Sequence, residues 1–252
     1  MFLHYKRRYQ TCLQMLDEVR REFEVLRHEK MSYAGVLDPM AEGWVPILVG
    51  KAENQNRLQH TQSAKEYKVG ILLGIQTDSN DLMGIVERFE NKNLRKAEIL
   101  FEVVRRLEEF PSSYNQKVSA FANKKYRSKP LWWYKLNEVD LPEEALVERS
   151  VQILDGEIVS MQEITREYLV EEIVAMSEVF GESFRMPRVV PSWGKFFEEV
   201  IMESFVVLEV RMVVSKGFFV REFVRDMSIE TGVPMCVHTL KRTKVFEQEY
   251  QQ

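Results

Sequence analysis

At 252 residues and a net charge of −4, the chain could form one large domain or two small ones. Either would bury roughly 70–75% of its unfolded surface without help from staples. With 45% hydrophobic and 29% charged residues it has an ordinary globular composition. Two distant cysteines, Cys12 and Cys236, argue against a disulfide framework or zinc site and for a reducing cytoplasm. The charged Met1–Arg8 stretch is no signal peptide, and no apolar run approaches the ~20 residues of a membrane span, so no membrane partner is expected.

In chain order, Tyr9 to Glu29 predicts an amphipathic helix, with Leu13, Leu16, Val19, Phe23 and Leu26 at steps of three and four. Ser32 to Gly50 is a turn-rich stretch punctuated by Gly35, Pro39, Gly43 and Pro46. Glu66 to Leu73 reads as a strand ended by Gly74, and Asn93 to Glu109 as a second helix. Short strands are expected at Lys117–Phe121 and Leu131–Leu136, the latter placing Trp132 and Trp133 on opposite faces. Val147 to Val159, with Gly156 near its middle, predicts a hairpin or a bulged strand, and Val170 to Phe180 a helix. Pro191 should open a helix reaching about Met202. Phe205–Val214 reads as an apolar strand, Phe218–Thr231 as a helix stopped by Gly232 and Pro234, and Val237–Leu240 as a last strand. Helices and strands interleave without a steady βα rhythm, and no repeat or linker stands out. The expectation is a single α+β domain.

Charge is unevenly spread. Asp140 to Glu209 is rich in acids, whereas bases gather at Lys6-Arg7-Arg8, at Lys124–Lys129, and at Lys216, Arg221, Arg225, Lys241, Arg242 and Lys244. Any one run reads as a solvated surface; several on one face would make a phosphate track, despite the acidic sum.

The densest cluster of special residues is Ser32-Tyr33-Ala34-Gly35-Val36-Leu37-Asp38-Pro39-Met40-Ala41-Glu42-Gly43. It offers a carboxylate in a loop tightened by proline, with glycines where another backbone could approach. Taken locally, Asp38 reads equally as the start of an ordinary Asp-Pro turn.

The run Gly35 to Pro46 resembles the catalytic motif of TruB-type pseudouridine synthases, G-T-L-D-P-x-A-x-G-x-L-P. Lys65-Glu66-Tyr67-Lys68, then Leu73 to Asp81 and Gly84, is similar to that family's K-x-Y strand and L-G-x-x-T-D-T-x-D-x-x-G continuation. Ser215 to Arg221 and Leu240-Lys241-Arg242 are similar to its S-K-G-T-Y-I-R and L-R-R segments. Phe110 to Ala120 and Lys129 to Tyr134 match its Q-x-P-P-x-Y-S-A and K-P-L-Y segments more loosely.

The resemblance implies the pseudouridine synthase catalytic fold, a mixed and mainly antiparallel sheet flanked by helices. It also implies a monomeric cytoplasmic isomerase that turns a T-loop uridine of tRNA into pseudouridine without cofactor or metal. Such an enzyme detaches uracil from ribose, rotates it and rejoins it through carbon 5. Asp38 corresponds to the nucleophile. Arg221 corresponds to the arginine whose charge keeps that carboxylate ionised under a bound base. Tyr67 corresponds to the tyrosine that stacks on the flipped uracil and assists proton removal. Leu240 would line the uracil pocket, Tyr33 would stack in the disturbed loop, and Lys216, Lys241 and Arg242 would contact phosphates.

The chain also departs from the pattern. Lys6 to Cys12 stands where the family has K-P-x-G-x-T-S, without its proline and glycine, which bears on the packing beneath Asp38. Ser32-Tyr33-Ala34 replaces G-H-T, so an imidazole gives way to a phenol. Phe218-Phe219 replaces a Thr-Tyr pair, removing two hydroxyls. The sequence ends soon after Leu240, so the family's C-terminal PUA domain is expected to be absent and tRNA binding weaker or less selective. An RNA-binding or tRNA-folding factor that has lost activity on the same fold is the alternative.

Overall fold

The apolar runs assemble into one long, twisted sheet whose edges and loops carry the chemistry-bearing residues. The computed structural model describes residues 1–91 and 97–246. Its strands are β1 (Phe2–Lys6), β2 (Met31–Tyr33), β3 (Glu42–Val49), β4 (Lys65–Leu73), β5 (Ile75–Thr77), β6 (Val86–Phe89), β7 (Ser113–Lys117), β8 (Lys125–Tyr126), β9 (Lys129–Pro130), β10 (Glu148–Thr165), β11 (Ser204–Val214) and β12 (Met235–Val245). Its helices are α1 (Cys12–Glu22), α2 (Gly50–Gln55), α3 (Arg57–His60), α4 (Ala97–Glu109), α5 (Leu131–Leu136), α6 (Arg166–Phe180), α7 (Met186–Glu199) and α8 (Val220–Thr231).

The main sheet runs β1-β3-β12-β4-β11-β10-β7, with β2 also on β3. Only β12 against β3 is parallel; the other pairings in it are antiparallel. This is the expected mixed, mainly antiparallel α+β architecture. Strands β4 and β11 sit centrally; β11 is apolar apart from Ser204, Glu209 and Arg211, and β4 becomes so from Val69 onward, past Lys65, Glu66 and Lys68, where both faces are covered. Their side chains join Trp193, Phe196 and Met227 in one continuous core. A small satellite cluster of Val118, Ala122, Leu131 and Ala145 holds together the segment between β7 and β10.

Several elements differ from the sequence expectation, each for a local reason. Helix α1 is eleven residues rather than the expected Tyr9–Glu29. Thr11 and Gln14 close a capping box at its start, Tyr9 lies at φ +62°, and Phe23 leaves helical geometry at its end. The turn-rich Ser32–Gly50 stretch contains β2 and the eight-residue β3. Its Gly43 is the close backbone approach expected of it: a Cβ there would lie 2.2 Å from the Arg242 carbonyl oxygen.

Strand β7 occupies Ser113–Lys117 rather than Lys117–Phe121. Leu131–Leu136 is a helix, not a strand: Leu131 and Tyr134, three apart, are buried while Trp132 is exposed. β10 passes straight through Gly156 for eighteen residues, bulged at Ile153/Asp155 and Ile158/Ser160, so the hairpin alternative is excluded. Helix α7 begins five residues before Pro191, with Pro187 in its first turn; Pro191 is tolerated inside it on the exposed side. The expected Asn93–Glu109 helix is seen as α4, its residues 93–96 lying outside the described set. Strand β1 had no signal strong enough to predict it, and β12 extends well beyond Val237–Leu240.

Candidate active site

Asp38 lies in the loop between β2 and β3, and that loop is fastened from four sides. The buried Lys6 ammonium donates to the carbonyls of Pro39 (3.3 Å) and Ala41. The Tyr9 amide donates to the Pro39 carbonyl at 2.8 Å. The Cys12 thiol faces the Leu37 carbonyl at 3.4 Å, and Arg242 Nη2 donates to the Gly35 carbonyl at 3.1 Å. Burial lowers the Lys6 pKa to about 8, although Cys12 and Asp38 pull it upward. Tyr9, which stands where the motif has its glycine, takes the left-handed conformation itself, and Lys6, the motif's lysine, ties the loop from below. The loop beneath Asp38 is held.

Opposite Asp38 stands Arg221, in the first turn of α8. Its Nε donates to Asp38 Oδ2 at 2.8 Å and its Nη1 to the Ser79 carbonyl at 3.0 Å. Asp81 Oδ2 lies 3.5 Å from the same Nε. Burial by itself would lower the guanidinium's pKa; Asp38, Asp81 and Glu222 outweigh it and hold the proton firmly. Asp81 is buried, which pushes its carboxyl up, while Arg221 and the Ser79 hydroxyl pull it down. Its Oδ1 accepts from Ser79 Oγ (2.6 Å) and the Met83 amide (3.0 Å), so Oδ2 is turned to Arg221.

The start of α8 is fixed by Gln116 of β7. Its fully buried amide donates to the Phe219 carbonyl (2.9 Å) and accepts from the Phe219 amide (2.8 Å). Phe219 is the N-cap residue and has no side-chain cap of its own. Gln116 supplies the partner that a capping side chain otherwise would.

Two cavities meet at Asp38 and Arg221. The larger, about 740 Å³, has Tyr67 and Leu240 in its wall and opens toward Lys124, Arg149 and Lys216. The smaller, about 310 Å³, is mainly apolar and is edged by Tyr33, Phe121, Trp132 and Phe184. Its Arg185 is held by both oxygens of Asp78 and lies over the Phe121 ring.

The structure thus brings Asp38, Tyr67, Arg221 and Leu240 around one cavity, with Lys216 at its mouth and Tyr33 in the adjoining one. Arg242 and Lys241 are placed differently from the phosphate contacts expected of them. Arg242 is buried, its guanidinium spent on the carbonyls of Trp44 and Gly35. Lys241, its neighbour on β12, faces Glu42 (3.6 Å) and the Tyr5 ring and lines neither cavity. Alternation along the strand separates the two. In sequence Lys6 belonged only to a basic run and to the stretch beneath Asp38, and Asp81, Gln116 and Arg149 had no part assigned. Asp81 carried a signal, as the second acid of the Thr77–Gly84 segment; Gln116 carried none. Among the described residues no group of three or more His, Cys, Asp or Glu could hold a metal ion, and no helix is long and apolar enough to cross a membrane.

Comparison with known proteins agrees with this arrangement. Residues 23–175 match the family described as TruB family pseudouridylate synthase (N terminal domain). The protein is 27% identical to tRNA pseudouridine synthase B of Vibrio campbellii over 245 residues, covering 96% of this chain and 61% of that protein. It is likewise 27% identical to tRNA pseudouridine synthase B of Thermosipho melanesiensis over 243 residues, covering 96% and 62%. Among solved structures, a chain of a Cbf5–Nop10–Gar1 complex is similar in fold, with a TM-score of 0.52 and 14% identity over 96% of this chain and 47% of that one. The chain belongs to the TruB family of pseudouridylate synthases. It spans about three fifths of the length of the two curated relatives named.

Proposed function

We propose that the protein is a tRNA pseudouridine synthase acting on a uridine of the T-loop, with Asp38 as nucleophile. The observation that carries this reading is the Asp38–Arg221 pair, 2.8 Å apart, at the junction of a basic cavity that also holds Tyr67 and Leu240. Family membership supports the reaction type.

In this reading the target uridine leaves the loop and enters the larger cavity, because its glycosidic bond cannot be reached inside a stacked T-loop. The ring of Tyr67 and the side chain of Leu240 hold uracil between them. Asp38, aligned by the Arg221 Nε hydrogen bond, attacks the ribose or the base. The bond from N1 to C1′ breaks, the base turns, a bond from C5 to C1′ forms, and the bond made by Asp38 breaks again to return its carboxylate. The C5 proton leaves, assisted by the Tyr67 hydroxyl, and N1 gains a proton. Atoms and electrons balance without an oxidant or a cofactor. Tyr33, in the adjoining cavity, stacks on the loop left open, and Lys216 contacts the RNA backbone.

The test is tritium release from tRNA labelled at uridine carbon 5. The wild type releases tritium, and Asp38→Asn does not while still binding the tRNA. Binding without release by the wild type overturns the proposal in favour of a non-catalytic RNA-binding or tRNA-folding protein on the same fold.

A further inference from the structure

The wall of the larger cavity contains six cationic side chains and one carboxylate, Asp38. Three of the cations are internally spent. Arg221 serves Asp38, Arg242 holds the carbonyls of Gly35 and Trp44, and Lys65 donates to the carbonyls of Thr61 and Ser63. The other three are Lys124, Arg149 and Lys216, and none has a carboxylate partner among the described residues. Lys216 touches only the neutral Gln62 amide, and the Lys124 ammonium has no partner at all there. In a chain of net charge −4, where most arginines find an acid, an acid-free trio at one cavity mouth is a specific arrangement.

Arg149 is also held in place. Strand β10 delivers it at its second residue; its guanidinium lies 5.0 Å over the Phe219 ring, and Nη1 donates to the Gly217 carbonyl at 3.4 Å. Gly217 makes room for it: a Cβ there would lie 2.8 Å from Arg149 Nη1, and φ is +78°. Stacking on a ring leaves the remaining guanidinium edge free for a planar or tetrahedral oxyanion. Half-burial removes part of the guanidinium's hydration with no counter-charge in return, a cost that an arriving anion would recover.

We propose that Lys124, Arg149 and Lys216 form a phosphate subsite that binds the phosphodiester backbone of the RNA strand beside the target uridine. This rests on the RNA reading above and gives the substrate strand a path. The backbone runs along the turn between β11 and α8, past Gly217, and the base drops inward between Tyr67 and Leu240. The subsite takes over the place that sequence alone gave to Lys241 and Arg242. It lies at the cavity that receives the base, so backbone binding there also orients the nucleotide.

The test uses the full chain and an RNA stem-loop containing the T-loop, with single phosphates on either side of the target uridine replaced by uncharged methylphosphonates. Dissociation constants are measured across a salt series for the wild type, for Arg149→Gln, and for the double variant Lys124→Gln/Lys216→Gln. Each removed charge should weaken binding about 3- to 10-fold and lower the slope of log K against log salt by roughly 0.7–1. One methylphosphonate position should weaken the wild type by a similar factor yet leave a variant unaffected. Should Arg149→Gln fail to fold, the lysine double variant, altered only at an exposed and a half-buried side chain, carries the test. Strictly additive losses at every position overturn the subsite while leaving the RNA reading in place. Failure of the wild type to bind RNA at all overturns both.

Discussion

Arg221 Nε donates to Asp38 Oδ2 across 2.8 Å, joining residues 183 apart in the chain and tying helix α8 to the loop ahead of β3. The guanidinium is also the only cationic group that Asp81 Oδ2 faces within 4 Å among the described residues. Two carboxylates share one cation, and of the two only Asp38 lines the larger cavity.

That sharing makes Asp81 a positioning residue for the pair. Asp81→Asn keeps an oxygen for Ser79 and the Met83 amide but turns an NH₂ toward Arg221. Donor then meets donor, and the guanidinium is pushed off its alignment with Asp38. Single-turnover tritium release should slow roughly 10- to 100-fold, equivalent to about 1.4–2.8 kcal/mol. The dissociation constant for tRNA should change less than about threefold, since Asp81 is buried away from the backbone. Unchanged turnover would show that the Asp38 contact alone aligns Arg221.

Gln116 acts one step further back. Gln116→Leu leaves the Phe219 N–H without its acceptor, while the Phe219 carbonyl keeps the Phe223 amide, at a cost of about 1–3 kcal/mol in unfolding free energy. Loss of the cap frays the first turn of α8, where Arg221 sits. Denaturant unfolding should show the lost stability. Below the unfolding range, turnover should fall more than tRNA affinity does. Gln116→Glu restores the acceptor for the Phe219 amide and should recover part of the turnover; equal losses for both variants would leave Gln116 a purely structural residue.

How much of this was legible beforehand differs by element. Strands β4 and β11 and helix α8 were readable because burial on both faces, or one apolar stripe ended by Gly232, leaves a strong local pattern. The Asp38 loop was legible as a motif, not as geometry. Nothing local says that Lys6 reaches under Pro39 or that Arg242 is buried. Those facts depend on β1 and β12 both lying beside β3, a long-range pairing. Helix α5 misled because its aromatic run fits a strand by composition; only tertiary packing of Leu131 and Tyr134 into the satellite core decides. Pro191 misled because a proline can sit inside a helix on its exposed side.

Gly43 gives a backbone test of the sheet. Gly43→Ala would set a Cβ 2.2 Å from the Arg242 carbonyl oxygen and 2.7 Å from its amide nitrogen, both backbone atoms, at φ +128°. No side chain can swing aside, so β3 and β12 must separate. That also loosens Arg242's hold on Gly35. Destabilisation of about 3 kcal/mol or more is expected in urea unfolding. Gly194→Ala in α7 is the control: no atom lies within 4 Å of its Cβ, and the change should be neutral or stabilising by up to about 1 kcal/mol.

Away from the site, Glu172 of α6 links Arg8 to His238 of β12. Its Oε1 accepts from Arg8 Nη1 at 2.6 Å and its Oε2 meets His238 Nε2. Burial pushes this carboxyl's pKa up, but His238 and Arg8 outweigh burial, and the net shift is below the ordinary value of 4.5. A carboxyl whose folded pKa lies below its unfolded one binds fewer protons folded than unfolded. Its stabilising contribution is therefore complete above the unfolded value and disappears as pH falls through the folded one. Unfolding free energy should drop between about pH 5 and pH 3 more steeply in the wild type than in Glu172→Gln. At pH 7 the variant should be less stable by about 2 kcal/mol, because Arg8 and His238 lose the carboxylate charge and one of its two acceptor oxygens. The two curves should converge toward pH 3. A gap that stays constant with pH would mean that Glu172 acts through packing, and that the charge contributes nothing.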